Sequence, residues 1–543
     1  MGAPFGRVCD PADREDDERG VDHETREVAI GTPAFVRRFL DGQVTKVQDL
    51  IDRIVELPRL AGAHQPAVQV ANLLLRWCVQ SKCVHLIRTL SPVATASFCE
   101  DVDARVMKAF CDINECGATF DDVQRRLYET PMAWGGLGMR PLYAVRNAAF
   151  IGCWMHCLAH IRRFHGAAIR GFDVGWDPGG ATTFSFHGEY RCALDALHAE
   201  LGLEWDAFDV LGISVRDALL SEQPKCQKAL SRAVLARRFE AWRDTLDPKS
   251  RALGILYGAS SDGRRSLASA WLVTTPFGPR TTIPDQEYRL AIRKRLGMPL
   301  GNRQDLCRVQ KGGRPPGGDP RRPEQRRPCG KALLPHADHA QGCARQEIQD
   351  RHDGLEDMCA AINREAGHIA HTETEVPGVL SSTKKEPIRA DVLVREAAPG
   401  TWRCTEVKVR HTFKGTGELA FQDAAQTDEM LRATEAEAHA HYRPAQVCPW
   451  VVTSFGRPGV EMCSDIRRLA RLRLRQPDVA RAVSVQSVQQ LLLQRWRAEL
   501  SCTLVLGDAQ VYLAALEGKR HGATGVPPAE VHLYELQSTG LNT

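Results

Sequence analysis

The chain has 543 residues, 43% hydrophobic and 25% charged, with a formal net charge of +4. That is an ordinary globular composition, long enough for two to four domains, and too mildly basic for the net charge alone to imply nucleic-acid binding. Its 18 cysteines are scattered without small-domain spacing, which fits reduced intracellular thiols, with metal binding open to some of them, better than a secreted disulfide framework.

Residues 1–28 are dense in Asp, Glu and Arg and read as a disordered leader, with no signal-peptide core. Helical periodicity then begins at Phe35, Val36, Phe39 and Leu40 and continues through Val44, Val47, Leu50 and Ile51. A second helix is expected from Val68 to Leu90. Thr119 reads as an N-cap, with Asp121 and Asp122 as first-turn charges rather than a polymerase aspartate pair. Gly135, Gly136 and Gly138 predict a tight turn or a close backbone approach, not a phosphate-cradling loop. The most apolar run, Ala148 to Ala159, is too short to span a bilayer and reads as a buried helix, so no membrane partner is expected. Helices continue to about Pro299, making 29–300 one helical region.

Residues 301–328 are dense in Arg, Gly and Pro and read as a basic linker and domain boundary. Arg321, Arg322, Arg326 and Arg327 are the candidates there for phosphate contacts; a solvated spacer is the alternative. In 329–345, Cys329, His336, His339 and Cys343 offer two sulfurs and two imidazoles, a donor set suited to tetrahedral Zn²⁺. Cys307 can join them only across the basic segment.

Residues 346–516 read as an α+β domain. The expected order is a helix over 345–366, strands near Ile388 and Cys404, a helix over 422–440, a strand over 447–453, and helices from Cys463 to Leu516. Residues 517–543 form a tail. The informative part is the hairpin. Ile388 to Val394 and Thr401 to Val409 alternate as strands and are joined by a loop containing Pro399 and Gly400. Strand alternation puts Glu406 and Lys408 on one face, and the hairpin can bring Asp391 alongside. Two carboxylates suit a hard cation, Mg²⁺ or Mn²⁺, and the ammonium suits developing phosphate charge. Glu375 and Glu386 lie upstream and read mainly as surface charges.

This hairpin resembles the core of PD-(D/E)xK nucleases, with Ala390 where that family usually has proline. The order of segments resembles more: the C-terminal half of a non-LTR retrotransposon protein, in which a restriction-like endonuclease follows the reverse transcriptase. Phe35-Val-Arg-Arg-Phe-Leu40, Leu57-Pro-Arg-Leu60 and Leu73 to Val79 resemble the helical thumb, and Gly135 to Leu142 a post-thumb segment. Cys329-Gly330 with His336, His339 and Cys343 resembles the knuckle before the nuclease. Arg351-His352-Asp353 resembles an Arg-His-Asn signature, and Val451 to Gly456 the strand after the catalytic pair. The fingers and palm are absent, so the resemblance does not imply DNA synthesis by this chain alone.

The resemblance implies a helical thumb-like region followed by a nuclease domain. Asp391 and Glu406 would hold the cation, with Lys408 as catalytic partner. Arg351 and His352 are candidates for contacting DNA, and Gln426 and Tyr442 fall where nucleases of this fold sometimes place DNA-contacting groups. DNA and element RNA are the implied partners, and the nucleus the implied location. The alternative is a nucleic-acid-binding remnant without catalysis; a third reading is a host scaffold that reuses the helices.

Overall fold

The computed structural model describes residues 32–61, 66–117, 119–165, 185–202, 226–245, 258, 267–300, 305–311, 327–333, 339–380, 386–396, 401–412, 424–443, 445–476 and 485–518. The chain divides into two compact units. One comprises Met1–Leu60, Ala71–Thr119 and Gly138–Thr245; the other comprises Ala61–Val70, Phe120–Leu137 and Leu246–Thr543. The described residues on either side of the basic segment, 305–311 and 327–333, fall in the second unit. The segment's neighbours upstream are committed to that unit. The backbone amide of Trp271 donates to Ser501 Oγ (3.1 Å), and buried Arg295 donates to the Gly136 carbonyl (2.9 Å).

The first unit is helical. Helix α1 (Pro33–Leu60) buries Leu40, Val47, Ile51 and Ile54, and packs on α4 (Ala96–Asn114). The helix expected from Val68 to Leu90 runs unbroken as α2 (Ala67–Leu74), a π-helical turn over Leu75–Val79, and α3 (Gln80–Thr89). Helix α6 (Leu142–His165) starts on the Asp103 carboxylate, which accepts from the amides of Leu142 (2.8 Å) and Tyr143 (2.9 Å). Its residues Phe150 and Ile151 pack with α7 (Ser185–Leu201) and α8 (Cys226–Arg243) around Leu194, Leu197, Leu230 and Val234.

In the second unit, α5 (Asp122–Glu129) is capped by Asp121, not Thr119. The Asp121 side chain accepts from the Gln124 amide (2.7 Å), and the Gln124 side chain returns the bond. A carboxylate in register with the third amide outcompetes a hydroxyl two residues further out. The turn that follows needs its glycines: a Cβ on Gly136 would lie 2.1 Å from the Thr130 carbonyl. Helix α9 (Asp285–Arg295) leads to a short antiparallel pair, β1 (Gln310–Lys311) with β2 (Arg327–Pro328). Then come the one-turn helix α10 (Ala340–Cys343) and α11 (Arg345–Glu365).

A four-stranded mixed sheet follows, in the order β3 (Ile369–Leu380), β4 (Pro387–Arg395), β5 (Trp402–Arg410), β6 (Val447–Thr453). The first two pairings are antiparallel; β5 and β6 are parallel and are linked through α12 (Ala424–His441). Strand β3 was not expected. The expected helical run from Cys463 to Leu516 is two helices, α13 (Val460–Leu474) and α14 (Val485–Glu517). One face of the sheet, through Val392, Val394, Val407, Trp450 and Val452, packs on α11, α13 and α14. The other buries Ile388, Ala390, Leu393, Cys404 and Val447 with Tyr442, the residue after α12. Among the described residues α14 alone is long and apolar enough to cross a membrane. Its burial (67% of that window) and its Trp496, Leu500 and Leu504 in the core are those of a central helix.

Candidate functional site

Two clusters of ligand-type side chains form in the second unit. The first is at the end of the sheet. Pairing of β4 with β5 runs from Arg395↔Trp402 to Val392↔Thr405 and stops one residue short of Asp391 and Glu406. The strands part there, which frees the Val407 amide, and Asp391 Oδ2 accepts from it at 2.7 Å. The face pattern also changes at this point. Ile388 and Ala390 lie with the second core, whereas Val392 and Val394 lie with the first, so alternation breaks across Asp391. Strand β3 makes the same change between Ala370 and Val376. Between them sits Glu373 at φ 48°, a strained setting for a non-glycine residue.

Asp391 and the Glu406–Lys408 pair take different partners. Glu406 and Lys408 do share a face, the one of Cys404, and Lys408 Nζ lies 2.9 Å from Glu406 Oε1. The Tyr442 hydroxyl sits between Glu406 Oε2 and the Arg389 carbonyl, and its single proton can serve only one of them at a time. Asp391, however, turns toward α11. Glu356 and Glu373 each bring a carboxylate oxygen within 4.8 Å of its own and of each other. Those are the carboxylates that sequence reasoning missed. Glu356 had a legible signal, since it lies four residues after His352 on one helix face. Glu373 had none, because its place depends on a long-range strand pairing.

His352 joins this cluster. Its Nε2 is 3.2 Å from Asp391 Oδ2 and 3.0 Å from the Val407 carbonyl, and its Nδ1 is 3.4 Å from Asp353 Oδ1 and 3.9 Å from Glu356 Oε2. Acceptors at both nitrogens call for the doubly protonated ring. The Asp391 hydrogen bond accordingly pushes its pKa up to about 9, against the opposing effect of burial. Burial, with the charges of Asp391 and Glu373, pushes the Glu356 carboxyl up to about 8.

Several expected contact residues land elsewhere. Arg351 is 4% exposed and paired with Asp508 Oδ1 (2.9 Å), so it cannot meet DNA: its helix position faces the core beside Gly507. Tyr442 is buried at 1% and serves Glu406 rather than a nucleic acid. Gln426 is exposed near the start of α12, and Glu375 and Glu386 are exposed. Arg321, Arg322, Arg326 and His336 lie outside the described residues; Arg327 is in β2.

The second cluster gathers Cys307, Cys329, His339 and Cys343, each offering a ligand atom within 4.8 Å of the others. Cys307 joins the three described residues expected there, and His336 lies outside the described residues. The β1–β2 pairing explains how it arrives across the basic segment: the Cys329 amide donates to the Val309 carbonyl (2.9 Å) and the Gly330 amide to the Cys307 carbonyl (3.0 Å). The Cys307 and Cys343 sulfurs are 3.7 Å apart, far beyond a disulfide, and Cys329 Sγ is 3.3 Å from His339 Nε2. A tetrahedron with metal–sulfur bonds of about 2.3 Å has edges of about 3.7 Å, so these donors fit one metal ion. Burial and the neighbouring sulfurs push the Cys343 thiol up to about 12, a penalty that a cation would reverse. The structure therefore contains a Cys₃His cluster able to hold a metal.

No protein-family model matches this sequence, and no curated protein matches it. The functional reading rests on the two clusters.

Proposed function

We propose that the second unit is a metal-dependent DNA endonuclease of the PD-(D/E)xK type, within a chain resembling the C-terminal half of a non-LTR retrotransposon protein. The observation that carries this is the end of the sheet. Asp391 and Glu406 stand on neighbouring strands where the pairing stops, with Lys408 two residues on, and Glu356 and Glu373 add oxygens beside Asp391. A mixed sheet flanked by α11 and α12, as the resemblance implies, supports it further.

Asp391, Glu356 and Glu373 are a hard-oxygen donor set suited to Mg²⁺ or Mn²⁺, and such an ion supplies water activation and charge neutralisation at a phosphodiester. The protein's own part is positional. His352 holds Asp391, Tyr442 and Lys408 hold Glu406, and Lys408 at 35% side-chain exposure can meet the charge that develops on phosphate. The product would carry a 3′ hydroxyl suited to priming. The Cys₃His cluster suits Zn²⁺ in a structural role. Nuclear DNA and element RNA are the partners this reading implies.

One observation favours the second reading, a binding remnant without catalysis. Glu406 is bonded to Tyr442 and Asp391 to His352, so both carboxylates of the hairpin are already engaged by protein partners. The deciding experiment is nicking of supercoiled plasmid by the full chain in Mg²⁺ or Mn²⁺. Asp391→Asn and Glu406→Gln should each lower the rate on the order of a hundredfold to a thousandfold, with DNA affinity retained. A wild-type chain that binds DNA and never cuts it establishes the remnant reading.

A further inference from the structure

A short hydrogen-bonded network lies between the two clusters and adjoins each of them in the chain. Gln341 lies on α10 between the cluster residues His339 and Cys343. Its Nε2 donates to Asp508 Oδ1 at 2.7 Å, and its Oε1 accepts from Arg351 Nη1 at 3.0 Å. Arg351 Nη1 also donates to Asp508 Oδ1, at 2.9 Å, while Lys294 pairs with Oδ2 of the same carboxylate. Burial alone would raise the Asp508 carboxyl, yet Lys294 and Arg351 hold it below its ordinary value. Arg351 adjoins His352, the residue that spans Asp391 and the Val407 carbonyl.

A helix of four residues has no stability of its own. Two things place α10: Ala340 and Cys343 pack with Ala509, Tyr512 and Leu513, and the donors at its ends meet Cys307 and Cys329 from another part of the chain. With a metal ion joining the four donors, Gln341 is delivered to Arg351 and Asp508. Without it the sulfurs have no common partner, and α10 keeps only the packing of Ala340 and Cys343 on α14 to hold the amide in place.

We propose that metal binding at Cys307, Cys329, His339 and Cys343 positions the carboxylate site through Gln341 and Arg351, which together fix the first turns of α11 and so seat His352 against Asp391. Arg351 is then a positioning residue, and the metal cluster is a control point for the site at the end of the sheet. The effect on DNA cleavage rests on the nuclease reading; the coupling of the two clusters does not.

The test uses the full zinc-loaded chain and follows amide hydrogen exchange in peptides covering 345–356, with and without a zinc-selective chelator. Chelation should speed exchange there about ten- to a hundredfold, the range for losing a hydrogen bond to a charged group. Gln341→Met keeps the volume and all four metal donors but lacks the amide. It should bind one zinc per chain, exchange as fast as the stripped wild type over 345–356, and no longer respond to chelator. Unchanged protection in the stripped wild type overturns the proposal, as does a Gln341→Met chain that responds like wild type. Should Gln341→Met fail to hold zinc, the wild-type pair alone decides. A chain that shows the zinc-dependent protection yet never nicks DNA refutes the nuclease reading and leaves the coupling standing.

Discussion

Removing the carboxylate of Asp465 is the most direct test of what holds the sheet in place. Asp465 is 5% exposed on α13, and its Oδ2 accepts from Arg403 Nη1 (3.1 Å) on β5 and from Trp450 Nε1 (3.0 Å) on β6. Arg403 is itself buried, with its other contacts at Asn363 Oδ1 (2.9 Å) and at partly exposed Glu396 (3.3 Å). Asp465→Ala therefore strands a guanidinium in the core, which costs about 3–5 kcal/mol, and leaves an indole N–H unpaired, about 1–3 kcal/mol more. The two overlap and Glu396 offsets part of the first, so about 4–6 kcal/mol is expected. At about 2–4 °C per kcal/mol for a unit of this size, that is a fall of roughly 10–20 °C in melting temperature. Asp465→Asn keeps an acceptor and the shape, and should lose clearly less. Scanning calorimetry of the three chains measures this. An Asp465→Ala transition within about 2 °C of wild type would refute the argument that the pair is shielded from water and bears on the β5–β6 core.

Three further outcomes are expected. His352 has a folded pKa raised from 6.5 to about 9, so its contribution, about 3 kcal/mol, is present in full below pH 6.5 and is lost as pH rises through 9. Asp391→Asn should drop its NMR titration midpoint to 6.5 or lower, because burial alone opposes the charge; an unmoved midpoint would show that Asp391 is not the partner. Cys307→Ser should lower zinc affinity in a chelator competition even though it lies outside the 329–345 segment, whereas His336→Ala should retain stoichiometric zinc; the reverse result would restore the ligand set read from spacing. Replacing Arg321, Arg322, Arg326 and Arg327 with alanine should flatten the dependence of log K for DNA on log salt, by about 0.9 for each phosphate that is no longer neutralised. A slope equal to wild type would mark that segment as a spacer.

The sequence by itself determined the local elements and their chemistry. The alternation of Ile388 to Val394 and Thr401 to Val409, with proline and glycine between, specified β4 and β5. The periodicity of 345–366 and 422–440 specified α11 and α12, and the apolar run 447–453 specified β6. These are properties of neighbours in the chain, so propensity and period report them. Strand β3 escaped because it is an edge strand: His371, Glu373 and Glu375 are exposed, and such a run has no apolar stripe to betray it.

Only the tertiary structure decided how the site is put together. It placed Cys307 among donors that follow it by more than a linker's length, because β1 and β2 pair across the basic segment. It buried Arg351 against Asp508, a partner far along the chain on α14. It turned Asp391 toward Glu356, Glu373 and His352 and left Glu406 with Lys408 and Tyr442, because β4 and β5 part between them and the β3–β4 pair changes face at that level. Side-chain period says which residues share a face while a strand stays regular. Where pairing ends, the freed Val407 amide and the packing of α11 decide instead, and neither is written in the spacing of the residues.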